Sequence, residues 1–440
     1  MLKTVDQKEI KKVRDMLELT QKGTVKATVD NYILVLRYDP YIRESLKYNK
    51  LTGRIDIVKI LWWNDEICKL DDDARTYYYY FFERYYSLCS ENCMDKAMRM
   101  EAKSRAYHLI CEYLEELEWD GQERIRYVLQ RYMGADASDF VYEVMKHFLM
   151  EALSRIYRPG CKADEMLCLV GQQGAGKSTF FRFLALKDDW FSDDLRNLGD
   201  NKVYEYLRGH WIIEMPEMIA TISAKNNEEI KSFLTRQKDS YRDPYAVYGE
   251  DRKRQCIFAG STNTRQFIPF DRTGARRFLP IAIDSSKAEK HILDDEEEAR
   301  AYFDQLWAEA MVIYWTTENK NSLLKFSKEM EKEIEEYRKQ FTQEDTMAGT
   351  IQGWLDAYKG THVCSVQIWK EAFDHFDREP KKFETNEICS IMDTQITGWK
   401  RAGIHRFEKQ GYGRQRSWIR EGTEDEDVNE PDKDGFTKLT

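Results

Sequence analysis

The sequence predicts an α/β protein: a layer of short buried strands alternating with helices, a mixed and then mostly helical segment before it, and a small module of helices and a hairpin after it. Three observations carry this reading. Short apolar runs alternate with helical patterns between residues 156 and 319, as in a sheet covered on both faces. One of these runs, Met166–Val170 (MLCLV), passes directly into a glycine-rich turn and then a helical stretch, Ser178–Leu186. The chain has 440 residues, 42% of them hydrophobic. That is too long for one ordinary domain and apolar enough for real cores, which excludes a fully disordered chain.

Taken in order, residues 1–155 contain two stretches of strand character, Tyr32–Pro40 (YILVLRYDP) and Gly53–Leu61 (GRIDIVKIL), with helical patterns from Asp72 onward. An aromatic run, Tyr77–Phe82 with Tyr85 and Tyr86, has the helical spacing of a core or interface stripe. This block is expected to serve as an oligomerisation collar. Residues 156–319 hold the sheet layer. Residues 320–345 are charged and lack Gly and Pro, the pattern of a solvated connecting helix. In 346–420, helices over 364–378 and 383–397 precede paired strands at Gly398–Phe407 and Arg414–Arg420, which suggests a winged helix. Lys400, Arg401, Arg406, Lys409, Arg414 and Arg416 make its wing basic and suited to duplex DNA. Residues 421–440 are acidic and expected to be disordered.

The formal net charge is −10, which argues against non-specific coating of nucleic acid. The nine cysteines form no CxxC pair and point to a reducing, cytoplasmic compartment. Cys89, Cys93, His108 and Cys111 lack the tight knuckles of a zinc site and read as buried thiols and a core histidine. No run of 18 apolar residues is present, so no membrane span is expected.

The strongest local signal is Gly171-Gln-Gln-Gly174-Ala175-Gly176-Lys177-Ser178-Thr179, a full match to GxxxxGK[ST] between a strand and a helix. The glycines let backbone N–H groups turn inward around phosphates, and the helix N-terminus adds its dipole. Lys177 is placed to reach the β and γ phosphates of ATP, and the Ser178 hydroxyl to bind Mg²⁺. Such a site needs a second strand that ends in an acid. His210-Trp-Ile-Ile-Glu214-Met-Pro-Glu217 supplies it. Glu214 is read as the metal acid and Glu217 as the general base, or the reverse. A third strand, Gln255–Asn263, ends in a polar amide, so Asn263 is the candidate sensor. Arg276 and Arg277 follow in Thr273–Pro280, and either one suits a finger that stabilises charge on the transferring phosphoryl group from a neighbouring subunit.

Residues 236–277 hold ten Lys and Arg against five Asp and Glu. Within them Arg242, Tyr245, Tyr248, Arg252, Lys253 and Arg254 mix rings and cations around a hairpin tip. That pattern grips single-stranded nucleic acid, or else is a plain charged hairpin.

The order of these motifs resembles the virulence-associated protein E family of phages and mobile elements, ATPases related to superfamily 3 helicases within the AAA+ class. The resemblance rests on Leu117–Gly121 (LEWDG), Tyr157–Cys161 (YRPGC), Gly171–Thr179, Trp190–Asp193 (WFSD), Trp211–Glu217, Tyr241–Tyr245 (YRDPY), Arg254–Asn263 and Thr273–Pro280. It spans about residues 110–310, with weaker similarity over Tyr48–Asp73. It implies an AAA+ core and a replication ATPase, a helicase, using ATP and Mg²⁺ as a hexameric ring on single-stranded and forked DNA beside a separate primase or polymerase. It also implies the motif roles of Lys177, Ser178, Glu214, Asn263 and the Arg276/Arg277 pair, and a DNA-channel hairpin at 241–254. Two departures stand out. The acid motif is Glu-x-x-Glu rather than adjacent acids, and Ala275 stands where Asn often precedes the arginines. No primase-like block is evident in residues 1–155. The rival expectations are an ATP-dependent DNA-binding initiator or regulator that does not unwind, and a small-molecule P-loop kinase.

Overall fold

In a computed structural model of the chain, the described residues are 6–195, 198, 203–216, 224–241, 250–269, 275–343, 345–408 and 411–423, without the side chains of 205, 224–228, 241, 250 and 275. Two compact units result, Met1–Thr342 and Gln343–Thr440.

The first unit opens with α1 (Gln7–Arg14) and α2 (Val29–Tyr38). A small antiparallel sheet follows, β1 (Leu46–Asn49), β2 (Arg54–Ile57) and β3 (Cys68–Lys69), then α3 (Asp72–Tyr86) and α4 (Glu91–Ser104). The strand expected at 32–40 is instead the body of α2. Thr28 caps its first turn, and the buried positions Asn31, Tyr32, Val35 and Leu36 repeat at i, i+4. The β-rich composition of YILVLR loses to that cap and that spacing. The strand expected at 53–61 is present as β2. The aromatic run forms α3, with Tyr78, Phe81, Phe82 and Tyr86 buried and Tyr77 and Tyr80 exposed.

Three helices, α5 (Leu109–Glu115), α6 (Val128–Met133) and α7 (Asp139–Tyr157), lead into the main sheet. Its strands are β4 (Met166–Val170), β5 (Phe191–Ser192), β6 (Ile212–Glu214), then, after the β7 (Lys238–Tyr241)–β8 (Glu250–Lys253) hairpin, β9 (Ile257–Thr262) and β10 (Phe278–Ala282). All five pair in parallel, in the order β10-β4-β9-β6-β5. Every residue of β4 and β9 is buried, which is why both read as unbroken apolar runs. Pro280 sits in β10, an edge strand, where its missing N–H costs no ladder bond.

Helices pin the sheet. α8 (Lys177–Leu184) follows β4, and α11 (Glu296–Thr316) lies against it. Between them come the short helix α9 (Val203–Leu207) and α10 (Ala224–Leu234). Two buried indoles meet in a tilted contact with ring centroids 4.4 Å apart, Trp211 ahead of β6 and Trp307 on α11. Their N–H groups donate to Ala152 O of α7 at 3.1 Å and Leu184 O of α8 at 2.8 Å, so the pair locks α7, α8, α11 and the acid strand together. The segment expected to be a solvated connector contains α12 (Lys328–Lys339), and its inner face is not solvated. Arg338 is buried and donates to Phe278 O at 2.9 Å and Arg276 O at 3.1 Å. Charge composition alone hid that face, because Arg338 is answered by backbone carbonyls rather than by an acid.

The second unit runs α13 (Thr346–Ala357), β11 (His362–Val363), α14 (Ser365–Glu371), α15 (Lys382–Thr394), β12 (Trp399–Phe407) and β13 (Gly413–Arg420), with sheet order β11-β13-β12. Its core is Ile351, Leu355, Val363, Ile368, Ile388 and Trp418 with their neighbours. Both expected helices are shorter than 364–378 and 383–397, since α14 stops at Glu371 and α15 at Thr394. Residues 424–440 and Lys409 lie outside the described residues. Among the described residues no helix is long and apolar enough to cross a membrane.

Candidate active site

The C-terminal ends of β4, β9 and β6 meet at one edge of the sheet, where parallel α/β sheets bind ligands. The loop after β4 turns through Gly174 at φ +80° and Gly176 at φ +77°, conformations that favour glycine. Gly176 is the N-cap of α8, which begins at Lys177. Gly171 is needed for room: a Cβ there would lie 2.5 Å from Ile283 Cγ1 and 2.6 Å from its carbonyl oxygen. Ala175 is buried within the loop, and Ser178 and Thr179 stand in the first turn of α8. The loop is tied to β9 by Gly171 N–H donating to Thr262 O at 3.1 Å.

Lys177 folds back over this loop. Its ammonium donates to Gly171 O at 2.9 Å, Gln172 O at 2.7 Å and Asn263 Oδ1 at 2.8 Å. Burial lowers its pKa. Glu214, fully buried at the end of β6, accepts on Oε1 from Ser178 Oγ at 3.0 Å and Ser261 Oγ at 2.5 Å. Its Oε2 is buried and has no hydrogen-bond partner among the described residues. Burial pushes the Glu214 carboxyl up, against the two hydroxyls that pull it down. Lys177, Ser178, Glu214 and Asn263, read from four separate positions, are thus one contiguous cluster. Ser261 was missed, although it lies two residues before Asn263 and its hydroxyl reaches the acid strand. The signal for it was the polar Ser-Thr-Asn ending of an otherwise apolar strand. Glu217 lies outside the described residues.

Arg276 is exposed, while Arg277 is half-buried with its Nε 3.8 Å from Asp164 Oδ2. Both precede β10, whose Phe278 pairs with Met166 at the start of β4. The phosphate loop follows the other end of β4, about 17 Å along the strand. The structure does not bring either arginine to the loop of its own chain.

Of the nucleic-acid candidates, Arg242, Tyr245 and Tyr248 lie outside the described residues. Arg252 and Lys253 are on β8, Arg252 half-buried and Lys253 exposed. Arg254 lies in the interior rather than on the hairpin surface. It is 3% exposed and its guanidinium forks onto Asp239, Nε to Oδ2 at 2.8 Å and Nη2 to Oδ1 at 2.9 Å. Nη1 donates to Phe233 O at 2.5 Å, so every nitrogen of the guanidinium has a partner within the fold. Beside the hairpin base opens a cleft of about 290 Å³, bordered by Tyr48, Lys50, Arg208, His210, Arg252 and Lys253, with Asp251 also on its wall. His108 caps α5 through Nδ1, accepting from Cys111 N–H at 3.3 Å, and its Nε2 lies 2.7 Å from Gln255 Oε1, so both ring nitrogens are used. Cys89 is exposed, and Cys93 and Cys111 are half-buried, contrary to the expectation of buried thiols.

No curated protein matches this sequence. Among solved structures, the A form apo structure of the NrS-1 C-terminal region is similar at 12% identity and TM-score 0.48, covering 85% of this chain and 96% of that one. The A form apo structure of NrS-1 C-terminal region 305–718 matches at 11% identity and TM-score 0.46, covering 85% of this chain and 95% of that one. The family profile of the virulence-associated protein E-like domain matches residues 114–343, more than half of the chain, and the chain belongs to that family.

Proposed function

We propose that the chain is an ATP- and Mg²⁺-dependent motor in the replication of a phage or mobile element. In this reading it forms a hexameric ring, hydrolyses ATP between subunits, moves on single-stranded DNA and opens forked duplex. The observation that carries the reading is the cluster of Lys177, Asn263, Ser178 and Glu214, with one buried carboxylate oxygen left unanswered. A carboxylate and a hydroxyl side by side are hard oxygen donors that fit Mg²⁺. When bound, that ion neutralises charge on the β and γ phosphates. Lys177 exchanges its loop carbonyls for phosphate oxygens, which its lowered pKa does not prevent, since a phosphate restores the charged form. Asn263, just past the strand between the loop strand and the acid strand, is released by that exchange and becomes free to orient water. The interposed strand is also what an AAA+ core requires. Glu214 holds the metal, which leaves the base to Glu217.

The position of the arginines supports a ring. Arg276 and Arg277 are at the far end of β10 from their own loop, so a finger has to act in a neighbour's site. Arg276 is the better candidate because Arg277 faces Asp164. The cleft beside Arg252 and Lys253 supports a path for single-stranded backbone. The order of α13, β11, α14, α15, β12 and β13 is that of a winged helix. On its hairpin Arg406 lies directly opposite Arg414, two cations that suit a polyanion, although Arg406 also has Glu408 Oε1 at 3.4 Å from its Nε. This last observation also favours the second reading, an initiator that binds duplex DNA and uses ATP only to assemble.

Steady-state ATPase rates with and without single-stranded DNA test the proposal, with Lys177→Ala as the control. Stimulation that is lost in the variant is expected, together with strand separation on a forked duplex. A rate indifferent to DNA sinks the motor. Stimulation and assembly without strand separation leaves the initiator.

A further inference from the structure

Away from the phosphate loop, the described residues hold one group of His and acid side chains whose donor atoms converge, His147, Glu151 and Glu165, all within 4.8 Å of one another. His147 and Glu151 sit at i and i+4 on α7 and therefore share a face. Glu165 comes from the turn just before β4. The site is interior: His147 is 3% exposed and Glu151 1%.

The spacing is the informative quantity. His147 Nε2 is 3.7 Å from Glu151 Oε1 and 3.5 Å from Glu165 Oε2. Both are at or beyond the limit of a hydrogen bond. Both are close to the separation of about 3.4 Å between ligands that surround a zinc-sized ion tetrahedrally at about 2.0–2.1 Å. His147 Nε2 and Glu151 Oε2 are buried atoms with no hydrogen-bond partner among the described residues. Among the described residues no Lys or Arg side chain hydrogen-bonds to these atoms, although Arg155 is close enough to Glu151 to feel its charge. Arg338 is committed to the carbonyls of Arg276 and Phe278, Arg155 Nη2 donates to Ala163 O at 2.7 Å, and Lys162 lies 3.8 Å from Asp164. The imidazole is held in place by Phe326, stacked at 4.1 Å. A proton on the cluster is the competing occupant, because the His147 imidazole, against burial, is held up to about 9 by the two carboxylates, and burial pushes Glu151 up.

We propose that His147, Glu151 and Glu165 bind one divalent transition-metal ion of the zinc class. The imidazole nitrogen disfavours Mg²⁺ and Ca²⁺, which take oxygen ligands. Three protein ligands leave one further coordination position. The ion staples α7 to the residue before β4, five strand residues ahead of the phosphate loop, and it displaces the proton from the cluster. The proposal does not depend on the motor reading.

The test uses the full chain, stripped with a chelator and titrated with Co²⁺ alone in the absence of nucleotide. One equivalent of cobalt with tetrahedral ligand-field bands and no thiolate charge-transfer band is expected. The bands should persist in Glu214→Gln, which removes the other oxygen site. They should weaken at least about tenfold in affinity in His147→Gln, as loss of a ligand requires. Saturating Zn²⁺ should raise the wild-type melting temperature by about 5 °C. Should His147→Gln fail to fold, the less buried Glu165→Gln gives the same comparison. Absence of cobalt bands and of a melting shift in the wild type would falsify the site. So would a thiolate band, or binding that survives both ligand substitutions.

Discussion

Glu214 and Arg254 are both charged, both buried, and both flank β9, yet they are opposite kinds of site. Arg254 is fully answered, with its fork on Asp239 and its remaining nitrogen on Phe233 O. Glu214 is half answered, with two hydroxyls on one oxygen and nothing on the other. A buried charge paired with an opposite charge and with a partner at every nitrogen is held by its own fold. One left incomplete in a fold that satisfies its neighbours keeps a place for something that arrives later. The contrast separates a residue held by its own fold from one with room for a ligand, although both were read from sequence as functional.

The largest expected effect tests the structural side. Arg254→Met strands Asp239 in the interior and should cost about 3–5 kcal/mol in denaturant unfolding, while Arg254→Met with Asp239→Leu should recover most of it. A single variant that folds normally but loses DNA affinity would break the comparison and return Arg254 to the nucleic-acid surface. Next comes Arg276, which is exposed and whose side chain makes no hydrogen bond or ion pair among the described residues. Arg276→Ala should lower kcat about a hundredfold or more with the melting temperature unchanged. Mixed with Lys177→Ala, it should regain part of the activity, because each variant supplies what the other's interface lacks. Failure to complement, with Arg277→Ala complementing instead, would exchange the two arginines.

Legibility followed the same division. The phosphate loop was readable because its glycines, lysine and serine must be contiguous, and the acid strand because three apolar residues run straight into Glu214. Asn263 was found from motif order. The role of Arg254 was not readable, since Tyr and Arg in alternation look alike whether they face water or an acid fifteen residues upstream. The α2 helix was misread because Val, Ile and Tyr weigh toward strands, while Thr28 and the i, i+4 burial decide for a helix. The His147 cluster joins one helix to a turn fourteen residues on. Its sequence trace is only a His-x-x-x-Glu pair inside a helix buried almost all round.

The smallest effect bears on the functional side of the comparison. If the unanswered oxygen of Glu214 is a cost kept for function, Glu214→Gln should abolish hydrolysis while leaving the nucleotide-free protein as stable or more stable, by about 1 kcal/mol near neutral pH. The sign of the pH dependence follows from the raised carboxyl. A folded-state pKa above its ordinary 4.5 means the folded protein holds the proton more tightly than the unfolded chain. Its contribution to stability is therefore complete below 4.5 and is lost as pH rises through the raised folded value. Glutamine has no proton to lose there. The stability difference, variant minus wild type, should rise with pH above 4.5 and then level off. A difference that stays flat, or a variant less stable at every pH, would mean that the buried carboxylate is already paired in the empty site. The asymmetry with Arg254 would then be one of function without any cost in stability.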